Sequence, residues 1–242
     1  MNLLIINPNT SEAMTNDIKR TIHRIKQRDT QVTVAFPDFG PEGLESFYDY
    51  ALSAFGLCRL LEKEKTQYDG ILIACFGDPG LYAAKEICDC PVFGIAEASM
   101  SAALLLGAKF AVLAASDKAV PMMENMIQQY GMKERCSGVF SLNMGVLEAE
   151  ADEEETVERL IEKGKTAIQN GAEVLILGCA GMTGYADLVK EQLDIPVIDP
   201  VEAAFLVLEA FCRAGYKVSK KGLYQTPDQK KIKNKDLFLK IM

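Results

Sequence analysis

No stretch of this chain is apolar for long enough to cross a bilayer. The longest apolar runs, 101–106 and 203–208, fall far short of the roughly 20 residues a membrane helix needs, so no membrane role is expected. Histidine occurs once, at His23, on the flank of the opening helix, and is given no catalytic part. The seven cysteines include no C-x-x-C pair, and Cys88-Asp-Cys90 has no second dyad at structural spacing, so a zinc site is not expected. No secretory leader is evident: Asn2 runs straight into a strand-like segment at 3–6, which points to a reducing cytosol and free thiols. Excess positive charge is also missing. Of the formal net charge of −8, residues 217–242 hold eight lysines against Asp228 and Asp236, a local +6 that leaves −14 on the rest. So acidic a body is a poor partner for nucleic acid. The lysine-rich end reads as a solvated C-terminal segment or as a contact surface.

The 242 residues alternate short β-branched runs with longer amphipathic stretches, the rhythm of parallel sheets covered by helices on both faces. Strands are expected at 3–6, 31–36, 70–75, 92–95, 110–114, 138–142, 173–178 and 197–198. Thr10 or Ser11 can cap a helix whose Met14, Ile18, Ile22 and Ile25 form one buried stripe. A second helix is expected over 152–170. It opens on four acidic residues, as the helix dipole favours, and ends at Asn170-Gly171.

The chain also repeats once. Tyr68-Asp-Gly-Ile-Leu-Ile-Ala-Cys75-Phe-Gly matches Ala172-Glu-Val-Leu-Ile-Leu-Gly-Cys179-Ala-Gly, each an apolar strand ending at a cysteine followed two residues later by glycine. Cys75 is followed after sixteen residues by Pro91-Val92 and after six more by Glu97-Ala98; Cys179 is followed after seventeen by Pro196-Val197 and after six more by Glu202-Ala203. The opening strand and polar loop ending at Ser11 have a counterpart in the segment from Phe110 to Ser116. We therefore expect two pseudo-symmetric α/β lobes, 1–98 with 200–242 and 99–199, with the active site in the cleft between them. Parallel sheets bind ligands beyond the carboxyl ends of their strands, where both cysteines fall, facing each other.

Two facing thiols suit racemisation, because one group removes a proton from one face of a carbon and the other returns it to the opposite face. A thiol near its ordinary pKa of ~8.5 serves as thiolate base or thiol acid, and a helix N-terminus just after it is expected to lower that value. Gly77 and Gly181 let backbone amides turn to the cleft, where they can hold an enolate oxygen without a metal. Cys58, Cys88, Cys90, Cys136 and Cys212 have no partner in the repeat and read as small core side chains. In the loop Asn7-Pro8-Asn9-Thr10-Ser11, Asn9 can bind a polar ligand, or the loop simply turns the chain and caps the helix. Asp78 likewise either accepts a bond from the substrate or caps the helix after Pro79.

Taken together, these residues resemble the aspartate/glutamate racemase superfamily, and within it the hydantoin and allantoin racemases. The resemblance covers nearly the whole chain through Ile6-Asn-Pro-Asn-Thr-Ser11, Gly40-Pro-Glu-Gly-Leu-Glu-Ser46, Cys75-Phe-Gly-Asp-Pro-Gly-Leu81, Pro91-Val-Phe-Gly-Ile-Ala-Glu-Ala98, Gly178-Cys-Ala-Gly-Met182 and Pro196-Val-Ile-Asp-Pro-Val201. It implies a cofactor-independent two-base enzyme on flavodoxin-like lobes, assembled as a homo-oligomer, with Cys75 and Cys179 catalytic. Asn9, Phe76, Gly77, Asp78, Ala180, Gly181 and Met182 are the expected contacts to a small-molecule substrate. Amino-acid racemases of the superfamily tend to follow the first cysteine with Asn and a hydroxyl residue and the second with Thr. Phe76 and Ala180 stand there instead and favour a ring without a free carboxylate, such as a 5-substituted hydantoin or allantoin. An aspartate- or glutamate-type racemase, and a non-catalytic binding or redox protein, are the alternatives. The family's Ser-Ile-Glu-Ser segment reads Gly43-Leu44-Glu45-Ser46 in this chain, which leaves the ring substituent open.

Overall fold

The structure, a computed structural model, describes residues 1–64, 67–231 and 233. The end of the lysine-rich segment and of the expected 200–242 portion therefore lies outside the described residues. Among the described residues no helix is long and apolar enough to cross a membrane.

Eight strands form two four-stranded parallel sheets. The first contains β1 (Asn2–Ile6), β2 (Gln31–Ala35), β3 (Gly70–Ile73) and β4 (Val92–Gly94) in the order β2-β1-β3-β4. The second contains β5 (Phe110–Ala114), β6 (Cys136–Ser141), β7 (Val174–Leu177) and β8 (Val197–Ile198) in the order β6-β5-β7-β8. The second order is the first advanced by four, so the sequence repeat is a repeat of topology, and the flavodoxin-like two-lobed fold is the one expected. In each sheet the order reverses beside the first strand, which is where such folds place ligands.

Strand periodicity sets the layers. In β1, Leu3 and Ile5 face a core shared by the two sheets, together with Leu72, Phe110, Val112, Val174 and Ile176. Leu4 and Ile6 face outward with Ile71 and Ile73. Into the shared core α1 (Glu12–Ile25), α4 (Ile95–Ala103), α5 (Ala119–Gln129) and α9 (Pro200–Arg213) send apolar residues. On the outer face of the first sheet lie α2 (Phe47–Glu64) and α3 (Leu81–Ile87); on that of the second lie α6 (Val146–Ala151), α7 (Glu153–Gln169) and α8 (Ala186–Lys190).

The elements follow local chemistry. Ser11 accepts the Met14 amide and caps α1, whose Met14, Ile18 and Ile22 are buried, each contributing roughly 1.5–3 kcal/mol. Asp152 caps α7 in the same way through the Glu155 amide. Several expected boundaries shift: β3 stops at Ile73 rather than Cys75, β4 stops at Gly94 because Ile95 opens α4, β6 runs from Cys136 to Ser141, and the ends of β1, β2 and β7 move by one residue. Of the five unmatched cysteines only Cys88 is fully buried; Cys58, Cys90, Cys136 and Cys212 are half-buried. His23 is exposed, as expected. One lysine of the tail is not merely solvated. Lys220 Nζ donates to the carbonyls of Lys85, Glu86 and Cys88 at 2.7, 2.9 and 2.6 Å and so satisfies the end of α3.

Candidate active site

The two cysteines occupy equivalent places. The Ala74 amide donates to the Ile6 carbonyl, and the Gly178 amide to the Leu113 carbonyl, each at 2.8 Å. Cys75 and Cys179 are therefore the first residues past the last rung tying β3 to β1 and β7 to β5. Both are half-buried, and both line one cavity. Asn9, which follows β1, and Ser116, which follows β5, line it as well.

Of the expected site residues, Asn9, Cys75, Phe76, Gly77, Cys179 and Ala180 share this cavity. Asn9 also shapes its own loop. Its amide oxygen accepts from Asn7 Nδ2 at 2.7 Å and the Ser11 amide at 2.9 Å, while its Nδ2 donates to Met14 Sδ at 3.2 Å. Turn, cap and cavity wall are thus one structure. Phe76 and Ala180 are almost wholly buried in the shared core and present little polar surface to the cleft. Met182 is fully buried among the apolar residues behind the second sheet and is not part of the cavity lining.

The two glycines behave differently from expectation. Their amides turn to the sulfurs: Gly181 N–H donates to Cys179 Sγ at 3.4 Å, and the Gly77 amide is hydrogen bonded to Cys75. The expected lowering of the first thiol's pKa is also overturned. Burial pushes Cys75 well above the ordinary thiol range, the Gly77 amide pulls it back only in part, and the neighbouring Cys179 and Asp78 push it further up.

Asp78 caps a different helix from the one expected. Its carboxylate accepts from the Ala96 and Glu97 amides at 3.1 and 2.8 Å, at the start of α4, and from the Tyr130 hydroxyl at 2.7 Å. The residue before α3 is Gly80. Asp78 sits at φ +43°, and burial raises its carboxyl to about 7 despite its three donors. It lines a second cavity that shares Tyr50, Phe76, Gly77, Met122 and Met123 with the cysteine cavity.

Tyr50, Ser116, Met122, Met123 and Val146 also line the cavity and were not expected as site residues, and Leu44 and Glu45, from the segment that departs from the family pattern, line it too. The repeat pointed to Ser116, since it aligned that loop with the one carrying Asn9. Glu45 closes the cleft from the β2–α2 loop: its Oε1 accepts the Val146 amide at 3.0 Å, across 101 residues of chain. Tyr50 lies on Gly77, where a Cβ would fall 2.2–2.5 Å from the end of its ring. A side chain there would have to move the tyrosine ring. No group of three or more His, Cys, Asp or Glu side chains that could hold a metal ion exists among the described residues.

Two tandem parallel sheets, each carrying a cysteine just past a strand end over a common cavity, form the architecture of a racemase-type isomerase. The family described as Asp/Glu/Hydantoin racemase matches residues 3–207, and the chain belongs to it. It is 40% identical over 232 residues to a hydantoin racemase of Pseudomonas sp. (strain NS671), covering 95% of this chain and 93% of that protein. It is 37% identical to a hydantoin racemase of Paenarthrobacter aurescens, covering 95% and 99%. Among solved structures, an allantoin racemase from Klebsiella pneumoniae superposes with a TM-score of 0.93 at 31% identity over 100% of both chains. A glutamate racemase from Bacillus anthracis, at 15% identity and a TM-score of 0.64 over 88% of this chain and 82% of its own, shares the fold.

Proposed function

We propose that this protein racemises 5-substituted hydantoins, allantoin being one member of that class, by proton transfer between Cys75 and Cys179. The observation that carries the reading is the placement of both thiols at equivalent strand ends on one cavity. Abstraction of the α-proton by one thiolate leaves an enolate stabilised by the adjacent neutral ring carbonyl, and the opposite thiol delivers a proton to the other face. The chemistry moves a proton and needs neither metal nor redox cofactor. Each sulfur opposes ionisation of the other, as the influence of Cys179 on Cys75 indicates. A pair holding one thiolate and one thiol is the state that either direction of turnover requires. Phe76 and Ala180 bring no polar side chain to bind a free carboxylate, which favours a neutral ring over an amino acid.

The test is incubation in D₂O with single enantiomers of allantoin, of 5-alkyl and 5-aryl hydantoins, and of free aspartate and glutamate, following optical rotation and α-proton loss. Racemisation of a ring with deuterium entering the α-carbon, abolished in folded Cys75→Ser and Cys179→Ser, is expected. Turnover of aspartate or glutamate alone transfers the assignment to an amino-acid racemase. No turnover of any compound, with reversible oxidation of both thiols, defeats the enzymatic reading.

A further inference from the structure

Two half-buried tyrosines border the cavities, and they differ in how their hydroxyls are used. Tyr130 donates to the Asp78 carboxylate. Tyr50 lies at the boundary of both cavities, its ring end pressed on Gly77 and its edge against Phe47 at 6.1 Å and 85°. Its hydroxyl has no hydrogen-bond partner among the described residues. That donor is therefore available to a ligand, and Tyr50 lines the same cavity as Cys75 and Cys179.

Resting on the two-cysteine reading above, we propose that Tyr50 is a further catalytic residue, whose hydroxyl donates a hydrogen bond to the ring carbonyl oxygen next to the carbon being racemised. As the α-proton moves to the thiolate, the C–H electron pair shifts into the ring and negative charge builds on that oxygen. The phenol keeps its proton throughout, and the bond strengthens as the charge develops. The proton returned to the opposite face comes from the second thiol, so the tyrosine ends each turnover as it began. Burial, and the proximity of Cys75, Cys179 and Asp78, push the phenol far above its ordinary range, which keeps it a donor and excludes it as the base. The role also accounts for Gly77: any side chain there displaces the ring. The two glycine amides, occupied with sulfur, leave the developing oxyanion in need of another donor.

The test is Tyr50→Phe, which keeps the ring on Gly77 and against Phe47 and removes one oxygen. With the fastest hydantoin, kcat is expected to fall about 100-fold, with KM changed less than fivefold and solvent deuterium exchange slowed in parallel. Incorporation of 3-fluorotyrosine at position 50, a more acidic phenol of nearly the same shape that keeps the donor, is expected to retain at least half of the wild-type kcat. If Tyr50→Phe does not fold, the fluorinated protein carries the test through its kcat relative to Gly77→Ala, which shifts the hydroxyl. A Tyr50→Phe enzyme within threefold of wild type, while Cys75→Ser is inactive, overturns the role of Tyr50 alone. A folded wild type that racemises no ring overturns the two-cysteine reading and this inference with it.

Discussion

Replacing Asp78 by asparagine exchanges one oxygen for nitrogen and isolates the charge of a buried carboxyl. Asp78 is 6% exposed, and burial lifts its pKa from 3.8 to about 7, with the Tyr130, Glu97 and Ala96 donors opposing that rise. In the unfolded chain the group loses its proton near pH 4; in the folded protein it keeps it until about 7. Across that window the folded state binds more protons, so its stability falls as pH rises and levels off above about pH 8. From pH 5 to pH 8 roughly two units of the window are crossed, at about 1.4 kcal/mol each, so this residue alone removes about 3 kcal/mol. Asparagine does not titrate. It loses about 1–2 kcal/mol at any pH because its amide nitrogen opposes a donor, but its dependence on pH is shallower by about 3 kcal/mol. Urea unfolding of both proteins at pH 5 and pH 8, followed by circular dichroism, measures the difference. Equal losses in the two proteins over that range refute the placement of a raised carboxyl at Asp78.

Gly178→Ala puts a methyl 2.6 Å from the Leu113 carbonyl oxygen, a backbone atom that cannot rotate away; parting β5 from β7 displaces Cys179, and kcat is expected to fall at least tenfold in a folded protein. Wild-type kcat refutes the tightness of that rung. The cavity beside the cleft is lined by Phe47, Leu81 and Met126 as well as by residues it shares with the cleft, a flexible apolar surface suited to the ring substituent. Ala83→Phe, which fills it, is expected to lower kcat/KM for 5-benzylhydantoin at least tenfold relative to 5-methylhydantoin; an unchanged ratio places the substituent elsewhere. Lys220→Met removes the donor from three carbonyls at the end of α3, and amide hydrogen exchange over Leu81–Ile87 is expected to quicken at least tenfold. Unchanged exchange refutes the bracing role.

The fold was readable because its signals are local or repeated. Eight apolar runs, the cap at Ser11, the acidic opening of the 152–170 helix, and the recurrence around Cys75 and Cys179 lead directly to two sheets of the same strand order. The part of the cavity formed by strand ends was readable for the same reason. What escaped depends on tertiary placement. Tyr50, Met122 and Glu45 sit on helices and a loop whose approach to the cleft no spacing encodes. Asp78 satisfies amides 18 and 19 residues downstream and a hydroxyl 52 residues away, so of the two roles the sequence left open, the cap of the helix after Pro79 is not the one its side chain takes. The thiol's pKa was missed because burial, which outweighs the adjacent amide, is not visible in a linear string.

The helix α9 bears on how the protein is made. It follows the last strand of the second sheet, yet Val201, Ala204, Phe205 and Leu208 bury against the inner face of the first, beside Leu3, Ile5 and Leu72. On the ribosome, the sheet synthesised first is thus the sheet finished last. Its strands are complete once residue 94 has been added, but its inner apolar face lacks this cover until residue 213 has left the exit tunnel. Through that interval the nascent chain carries an open hydrophobic surface, a binding opportunity for chaperones. A premature stop within α9 leaves the oldest part of the polypeptide unprotected while its youngest sheet already has all four strands.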